Sequence, residues 1–271
     1  MDTTLAKGLD VLEWLARQQR DCRAVDVAQA FGLARSNAHR TLQTLVERGW
    51  AVQDGATSAY RPSLRLFELG ALVGAAADIN AMVRPHLAAL AAATGETIHL
   101  AALDGAEIVY LDKFDSPRPV ATYSRVGGRA PAACVASGKA LLAALQPDRT
   151  ALEARLGTLA AHTPNSITDF DVLLKELERT RHRGYGENRE EWRLGVGGLG
   201  AAVCNARGEP IVAVGMSVPF IRFGRARSRA LARQLVTTAR EASLTLGHSG
   251  TTTPATTPAG VVVPPLRRKS Q

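Results

Sequence analysis

Four polar side chains repeat at helical spacing between residues 34 and 48: Ser36, His39, Arg40 and Gln43. A helix advances about 100° per residue, so these side chains share one face. The opposite face carries small and aliphatic residues, namely Ala38, Leu42 and Leu45. Side chains of the polar set can bond to base edges in the major groove of DNA. The spacing therefore predicts a DNA-reading helix, for which the alternative is an ordinary solvent-facing helix of a small bundle.

The residues around this helix fit a helix-turn-helix. A shorter helix is predicted just before it, and Ala28 and Ala38 provide small side chains where the two helices cross. Gly32 supplies the positive φ of the turn between them. Arg35 and Asn37 flank the N-terminus of the second helix, where free backbone N–H groups favour phosphate contacts. The pattern predicts that the second helix enters the groove.

The remaining N-terminal elements predict a winged version of this motif over residues 1–62. A first helix is predicted to begin with Thr4 as its N-cap, and its apolar stripe is Leu5, Leu9, Leu12 and Ala16. The shorter helix spans residues 25–31. Two short strands, residues 50–53 and 58–61, flank a turn at Asp54 and Gly55 and form the wing. We predict DNA contacts by Arg35, Ser36, Asn37, His39, Arg40, Gln43 and Arg61.

A connector helix over residues 63–80 is predicted to lead into a second domain over residues 81–248. Its predicted strands are residues 97–103, 107–112, 120–124, 199–205 and 211–218, and its predicted helices are residues 138–145, 148–156, 169–183 and 228–246. Hairpin-forming strands with separate helices indicate an α+β fold with a mainly antiparallel sheet. Residues 249–271 are rich in Thr, Pro, Ala and Gly, which predicts a disordered tail.

Charge and composition limit the function classes without choosing one. The net charge of the 271 residues is +8, but residues 1–70 hold nine Lys and Arg against eight Asp and Glu, so the DNA prediction depends on position. Neither an apolar membrane span nor a secretion signal is present, which predicts a cytoplasmic protein without a membrane partner. The three cysteines lack metal-ligand spacing, and we predict buried thiols, no metal and no cofactor.

Three other motifs could indicate a nucleotide-binding or catalytic site. Residues 195–200 match GxGxxG but precede a predicted strand, whereas a dinucleotide site needs a helix there, so tight packing or close approach of an effector is favoured. Ser137 and Lys139 lack the companions of a nucleophile pair or phosphate loop, and Ser137 is predicted to cap a helix. Glu190 and Glu191 are adjacent in a segment predicted to be extended, which argues against paired catalytic carboxylates.

The arginine run at residues 222, 225, 227 and 229 can contact phosphates or form a solvated rim. One alternative for the whole chain also stays open. It is a small-molecule-binding or hydrolytic enzyme that uses the pocket of the C-terminal domain.

From Lys7 to Gly247 the chain resembles the IclR family of bacterial regulators. The segments that carry the resemblance are Lys7–Leu12, Arg35–Arg40, Tyr60–Leu64, Gly95–Leu100, Tyr123–Pro131, Ala136–Ala143, Arg183–Tyr185 and Glu190–Glu191. The resemblance implies a GAF-like effector domain whose sheet cups a small molecule, often a carboxylate from central or aromatic catabolism. It also implies a homodimer or a dimer of dimers.

The resemblance places the effector at Arg125, Val126, Gly127, Gly128, Ser137, Asn188, Glu190, Glu191, Val196, Gly198, Gly215 and Ser217. One reading helix makes few base contacts, so a dimer on a palindromic operator is expected. Effector occupancy is then predicted to change the placement of the two DNA-reading heads and thereby operator affinity.

Overall fold

The computed structural model describes residues 3–18, 20–72, 75–121 and 124–249. The chain divides between Ala77 and Asp78 into two compact units, which are described separately below. The predicted disordered tail lies outside the described residues except for Ser249.

The N-terminal unit consists of helices around a small apolar core. Its elements are α1 (Thr3–Arg17), α2 (Ala24–Phe31), α3 (Arg35–Glu47), β1 (Ala51–Gln53), β2 (Tyr60–Pro62) and α4 (Arg65–Leu72). Gly32 adopts φ 61° between α2 and α3, the left-handed conformation predicted for the turn. Ala28 and Ala38 are buried in the core, as the crossing of α2 and α3 requires. β1 and β2 pair antiparallel as the wing.

Two predictions for α1 are wrong. Thr4 lies inside the helix, so it is not the N-cap. The buried side chains are Val11, Leu12 and Leu15, while Leu5 and Leu9 of the predicted stripe are exposed. Helical periodicity defines a possible face, but burial depends on which part of that face other elements cover.

The wing is held by bonds that the sequence pattern did not indicate. Cys22 and Tyr60 exchange backbone hydrogen bonds of 2.9 and 2.7 Å, so the segment between α1 and α2 pairs with β2. The turn is longer than predicted. The backbone N–H of Asp54 donates to the carbonyl of Ala59, and the backbone N–H of Ser58 donates to the carbonyl of Asp54. Asp54 Oδ1 accepts from the backbone N–H and the hydroxyl of Thr57, both at 2.7 Å. These bonds lower the pKa of Asp54 and fix the start of the turn.

The predicted connector helix is two helices. α4 ends at Leu72, and α5 (Ala75–Thr94) begins after residues 73–74, which lie outside the described residues. α5 crosses the boundary between the two compact units and continues through Pro85 to Thr94. Gly95, with φ 64°, directly follows its last residue.

The C-terminal unit contains a six-stranded antiparallel sheet between two layers of helices. Its strands are β3 (Thr97–Asp104), β4 (Glu107–Phe114), β5 (Arg129–Pro131), β6 (Gly186–Arg189), β7 (Val196–Cys204) and β8 (Pro210–Pro219), in the order β5-β4-β3-β8-β7-β6. Its helices after α5 are α6 (Ala136–Leu145), α7 (Arg149–Leu156), α8 (Phe170–Arg183) and α9 (Arg225–Thr245). α5 and α9 pack on one face of the sheet, and α6, α7 and α8 pack on the other. The predicted α+β class with an antiparallel sheet is confirmed.

The edges of the sheet differ from prediction. Val120, Ala121 and Ser124 of the predicted strand at residues 120–124 are not in a strand, and residues 122–123 lie outside the described residues. The edge beside β4 is instead β5. The opposite edge, β6, was missed because its sequence, Gly-Glu-Asn-Arg, lacks the β-branched and aromatic residues typical of strands. Among the described residues, no helix is both long and apolar enough to span a membrane.

Candidate functional site

The polar face of α3 is exposed. Arg35, Ser36, His39 and Arg40 all reach solvent, while Ala38 and Leu42 on the other side have no exposed surface. Arg40 Nη2 donates to Asn37 Oδ1 at 2.9 Å, which restrains the guanidinium along the helix surface. The groups predicted to read DNA are therefore available to an outside partner, with their helix anchored by its apolar side.

Gln43 differs from the other predicted DNA contacts because the wing holds it. Its Nε2 donates to Gln53 Oε1 and to the Tyr60 hydroxyl, both at 3.0 Å, and the side chain is half-buried. Gln43 thus fixes the wing to α3, and any base contact must be made from this fixed position.

Arg61 lies on the exposed side of β2, as a wing contact requires. Its guanidinium is 3.5 Å from the Asp21 carboxylate, an exposed ion pair of small energetic value. A phosphate can replace Asp21 as its partner at little cost.

On the α6 side of the sheet, one row of residues is mostly glycine, which allows α6 to pack directly on the strands. Strand register aligns His99, Gly215, Gly200 and Gly186 across β3, β8, β7 and β6. A Cβ on Gly200 would lie 2.4 Å from the backbone N of Ser137, and one on Gly186 would lie 2.3 Å from the carbonyl O of Ala136. These glycines therefore seat the first turn of α6 against the sheet.

The next row forms a shelf at the start of α6. The shelf consists of Thr97, Ser217, Gly198 and Asn188, aligned by the same strand pairing. A Cβ on Gly198 would meet the Ala136 Cβ at only 3.8 Å, an ordinary contact, so the helix starts beside this position rather than on it. Three of the predicted effector residues, Asn188, Gly198 and Ser217, therefore lie side by side next to a helix N-terminus.

Ser137 does not cap α6, contrary to prediction. The N-cap residue is Val135, which provides no side-chain bond, and Ser137 lies within the first turn. Its hydroxyl sits over Gly215, where a Cβ would approach Ser137 Oγ to 2.3 Å. The N-terminal N–H groups of α6 are thus left uncapped by Val135, and a helix end of this kind favours an anion.

His99 is a residue of this region that sequence reasoning missed. Its Nε2 lies 2.8 Å from Ser217 Oγ, its Nδ1 lies 3.2 Å from Ser124 Oγ, and its ring contacts Tyr110. Burial, with Lys113 nearby, lowers the pKa of His99 to about 4, so the imidazole is neutral at pH 7. The sequence shows only that His99 and Thr97, two residues apart in a strand, share one face of the sheet. It does not show that β8, which carries Ser217, is the neighbouring strand.

The predicted loop of Arg125, Val126, Gly127 and Gly128 is tied to the same region. Tyr110 donates to Gly128 O at 3.0 Å and accepts from Gly127 N at 2.8 Å through its backbone. The side chains of Arg125 and Val126 are exposed, so the loop presents them to solvent. Tyr110, which is bonded to the loop, and Ser124, which precedes it, both contact His99. His99 in turn is bonded to Ser217 of the shelf.

Glu190 and Glu191 point to different partners, but not for the predicted reason. Glu190 adopts φ 61°, so this segment is not extended, and its carboxylate accepts from Gly195 N at 2.7 Å. Glu191 is buried and pairs with Lys139 at 2.6 Å, while its backbone N–H donates to Asn188 Oδ1 at 2.8 Å. Burial raises the pKa of Glu191, and Lys139 opposes that rise. This ion pair fixes the end of the shelf.

A pocket of about 520 Å³ opens beside β6. Of the predicted effector residues it includes Glu190 and Glu191, and its other lining includes Lys139, Arg189 and Phe220. Val196, also predicted, is half-buried and shares its side of β7 with Gly198. The predicted residues on the α6 face are thus Ser137, Asn188, Val196, Gly198, Gly215 and Ser217. Glu190 and Glu191 line the neighbouring pocket instead.

The competing motifs have structural explanations. The glycines of residues 195–200 lie within or just before β7, a strand rather than a helix start. Gly197 and Gly200 leave no room for a Cβ, because they pack against the Phe223 ring and the start of α6. Lys139 is bound to Glu191 and to Glu187 O at 2.9 Å, which leaves it unsuited to activate Ser137. Among the described residues, no group of three or more His, Cys, Asp or Glu side chains is arranged to hold a metal ion.

Two family profiles together match most of the chain. The profile described as "IclR helix-turn-helix domain" matches residues 4–55, and "Bacterial transcriptional regulator IclR C-terminal" matches residues 72–244. The chain is 32% identical over 246 residues to the HTH-type transcriptional regulator KdgR of Escherichia coli K12, covering 91% of this chain and 93% of the relative.

Solved structures of the same type superpose on it. The crystal structure of the Thermotoga maritima IclR has a TM-score of 0.75 at 30% identity and covers 92% of this chain and 100% of its own. An IclR homologue from Microbacterium hydrocarbonoxydans, complexed with 4-hydroxybenzoate, has a TM-score of 0.77 and covers 90% of this chain and 99% of its own. At 24% identity, the second structure supports the fold alone.

Proposed function

Because the chain belongs to the IclR family of bacterial transcriptional regulators, we propose that it reads a palindromic DNA operator with the exposed face of α3. The observation that carries this proposal is the division of α3 into two sides. Its hydrogen-bonding side chains face solvent, and Ala38 and Leu42 are fully buried. A face of Ser, His and Arg has the donors and acceptors that base edges require.

Binding as a homodimer or a dimer of dimers is part of this proposal. Each good base contact contributes about 1–3 kcal/mol of discrimination, so a single α3 gives modest selectivity. Two copies of α3 on a palindrome double the number of contacts. Arg35, Asn37 and Arg61 are then assigned to phosphates, which position each reading helix without selecting a sequence.

A small carboxylate on the shelf is the proposed effector. The N-terminus of α6 favours a negative charge, and the Ser217 hydroxyl and Asn188 amide offer hydrogen bonds beside it. Gly198 adds no side chain between these two residues, and a Cβ there would already meet Met216 O at 3.3 Å. The neutral His99, bonded to Ser217, orients that hydroxyl.

The proposed carboxylate regulates operator affinity by favouring one arrangement of the dimer over another. Such a coupling requires differential contacts in the two arrangements, typically about 1–3 kcal/mol. The DNA upstream of the protein's own gene is the first operator to test. Footprinting at a fixed salt concentration should show a discrete protected region, and lack of any discrete complex would reject the DNA-reading proposal.

The effector proposal is tested with 4-hydroxybenzoate and a panel of smaller carboxylates, each beside its uncharged amide. At least one acid should change operator protection, and its amide should not. Ser217→Ala should weaken the response while leaving DNA binding without effector intact. Equal responses to acids and amides, or no response to any acid in the panel, would contradict a carboxylate effector.

A hydrolytic enzyme is the less favoured function. Ser217 and His99 are within hydrogen-bond distance, as in a nucleophile and its base. However, a histidine whose pKa is about 4 is a weak base at neutral pH, and its other nitrogen faces the Ser124 hydroxyl rather than a carboxylate. The pair is suited to orienting a ligand.

A further inference from the structure

Three arginines surround one buried carboxylate just before β3. Glu96 has no exposed surface, and its carboxylate accepts from Arg118 at 3.1 Å, Arg222 at 2.8 Å and Arg227 at 3.1 Å. We call these four residues the Glu96 cluster. Three positive charges face one negative charge, so most of the arginine charge is not neutralised within the cluster.

Hydrogen-bond donors also exceed acceptors in the Glu96 cluster. Both oxygens of Glu96 are used, and the other contacts are Arg118 to Thr94 O at 3.1 Å and Arg222 to Val120 O at 2.9 Å. Each guanidinium carries five N–H donors. The Nε of Arg222 is buried without a hydrogen-bond partner among the described residues. An added acceptor on the solvent side would use the exposed N–H groups of Arg118 and Arg227 rather than this buried nitrogen.

The outer side of the cluster is open to solvent. The side chains of Arg118 and Arg227 are 37% and 43% exposed. Arg227 belongs to the first turn of α9, whose N-cap, Gly224, contributes no side-chain bond. The helix N-terminus and these arginines therefore act together to attract an anion.

We propose that the Glu96 cluster binds a small oxyanion, a phosphate or carboxylate group held on the solvent side of Arg118, Arg222 and Arg227. The planar guanidinium forms paired hydrogen bonds with either group. Glu96 accepts hydrogen bonds from all three arginines, and the ligand supplies the missing negative charge. This site is separate from the shelf and does not depend on the effector proposed there.

Inorganic phosphate is the first probe. The full chain is heated in sodium phosphate and in sodium chloride of equal ionic strength, so that general screening cancels. Phosphate should raise the melting temperature beyond chloride, because a ligand of the folded state stabilises it. Arg227→Gln should remove most of this gain. Arg233→Gln, which removes an exposed arginine elsewhere on α9, should retain it, and equal gains in the two variants would overturn the proposal.

A second variant distinguishes a ligand site from a purely structural clamp. Glu96→Gln keeps the side-chain shape but removes the only negative charge of the cluster. Phosphate should then bind more tightly, by roughly fivefold, in calorimetric titration of the folded variant. Weaker or unchanged phosphate binding by a folded Glu96→Gln protein would reject the site. If this variant does not fold, the comparison of Arg227→Gln with Arg233→Gln decides.

The same oxyanion chemistry can come from a free metabolite or from an acidic side chain of a second copy. The phosphate titration is therefore repeated at protein concentrations about tenfold apart, with sedimentation to follow assembly. A free oxyanion predicts the same phosphate affinity at both concentrations and competition by malonate. An affinity that falls with protein concentration, with self-association opposed by phosphate, would assign the cluster to contacts between copies and overturn the proposed site.

Discussion

The reading face of α3 and the shelf beside α6 are built over very different lengths of chain. The α3 face uses residues within one helix, from Arg35 to Gln43. The shelf uses residues from four strands, which extend in the sequence from Thr97 on β3 to Ser217 on β8. Local geometry therefore fixes the first surface, whereas strand pairing far apart in sequence fixes the second.

The two surfaces also differ in what they leave free. The α3 face is exposed, and of its predicted contacts Gln43 is tied most closely to another element, the wing. On the α6 face, the helix fills the space over Gly186, Gly200 and Gly215, and only the next row lies beyond the helix start. An exposed helix face such as that of α3 can be predicted from helical spacing alone. On a sheet covered by a helix, a ligand can bind only beyond the end of that helix.

Gly200→Ala should have the largest effect of the changes considered. Its Cβ would meet the α6 backbone at 2.4 Å, so the helix must move away from the sheet. We expect a loss of about 3 kcal/mol or more in the free energy of unfolding, measured by chemical denaturation. Gly198→Ala is the matched control, with a nearest contact of 3.3 Å and an expected loss below about 1 kcal/mol. Equal losses would show that α6 does not seat on the glycine row.

His99 should make stability depend on pH in a defined window. Its folded pKa is about 4, below the 6.5 of the unfolded residue, so between these values the unfolded chain binds more protons. Stability attributed to His99 is therefore lost as pH falls from about 6.5 to 4, by up to about 3 kcal/mol. Comparing denaturation of the wild type and His99→Asn across this range measures the contribution. Parallel pH curves would contradict a neutral, buried His99.

Arg40→Ala tests the α3 face without touching the core. We expect operator affinity to fall about 10-fold to 100-fold, from loss of one base contact, with no change in melting temperature. Affinity for random DNA should fall much less. Arg48→Ala is the control, because it removes an exposed arginine just past the other end of α3. Equal loss on operator and random DNA would assign Arg40 to phosphate contact.

Gln53→Ala should have the smallest effect. It removes one of the two acceptors of Gln43, while the Tyr60 hydroxyl keeps the other bond. A hydrogen bond of this kind contributes about 1 kcal/mol, so we expect roughly fivefold weaker operator binding or less. Anisotropy titration against operators changed at single base pairs should place the loss at one position. If the loss of affinity is the same for every changed base pair, Gln43 does not contact a base.

The three-helix motif, the wing and the two sides of α3 follow from local sequence patterns. These depend on helical periodicity, on Gly32 in the turn and on small residues at a helix crossing, all of which act within a few residues. The sequence also identified the antiparallel class of the larger unit from its hairpins. The family resemblance then selected residues that the structure places on the α6 face.

Which residues meet across the sheet depends on long-range packing. The polar β6 has no strand signal of its own and becomes a strand by pairing with β7. His99 lies beside the shelf because β3 pairs with β8. Glu96 binds three arginines that come from a loop, a turn and α9. The contacts of His99 with Ser217 and of Glu96 with Arg222 and Arg227 join residues more than a hundred positions apart. The strand register behind them is set by the packing of the whole sheet rather than by any local pattern.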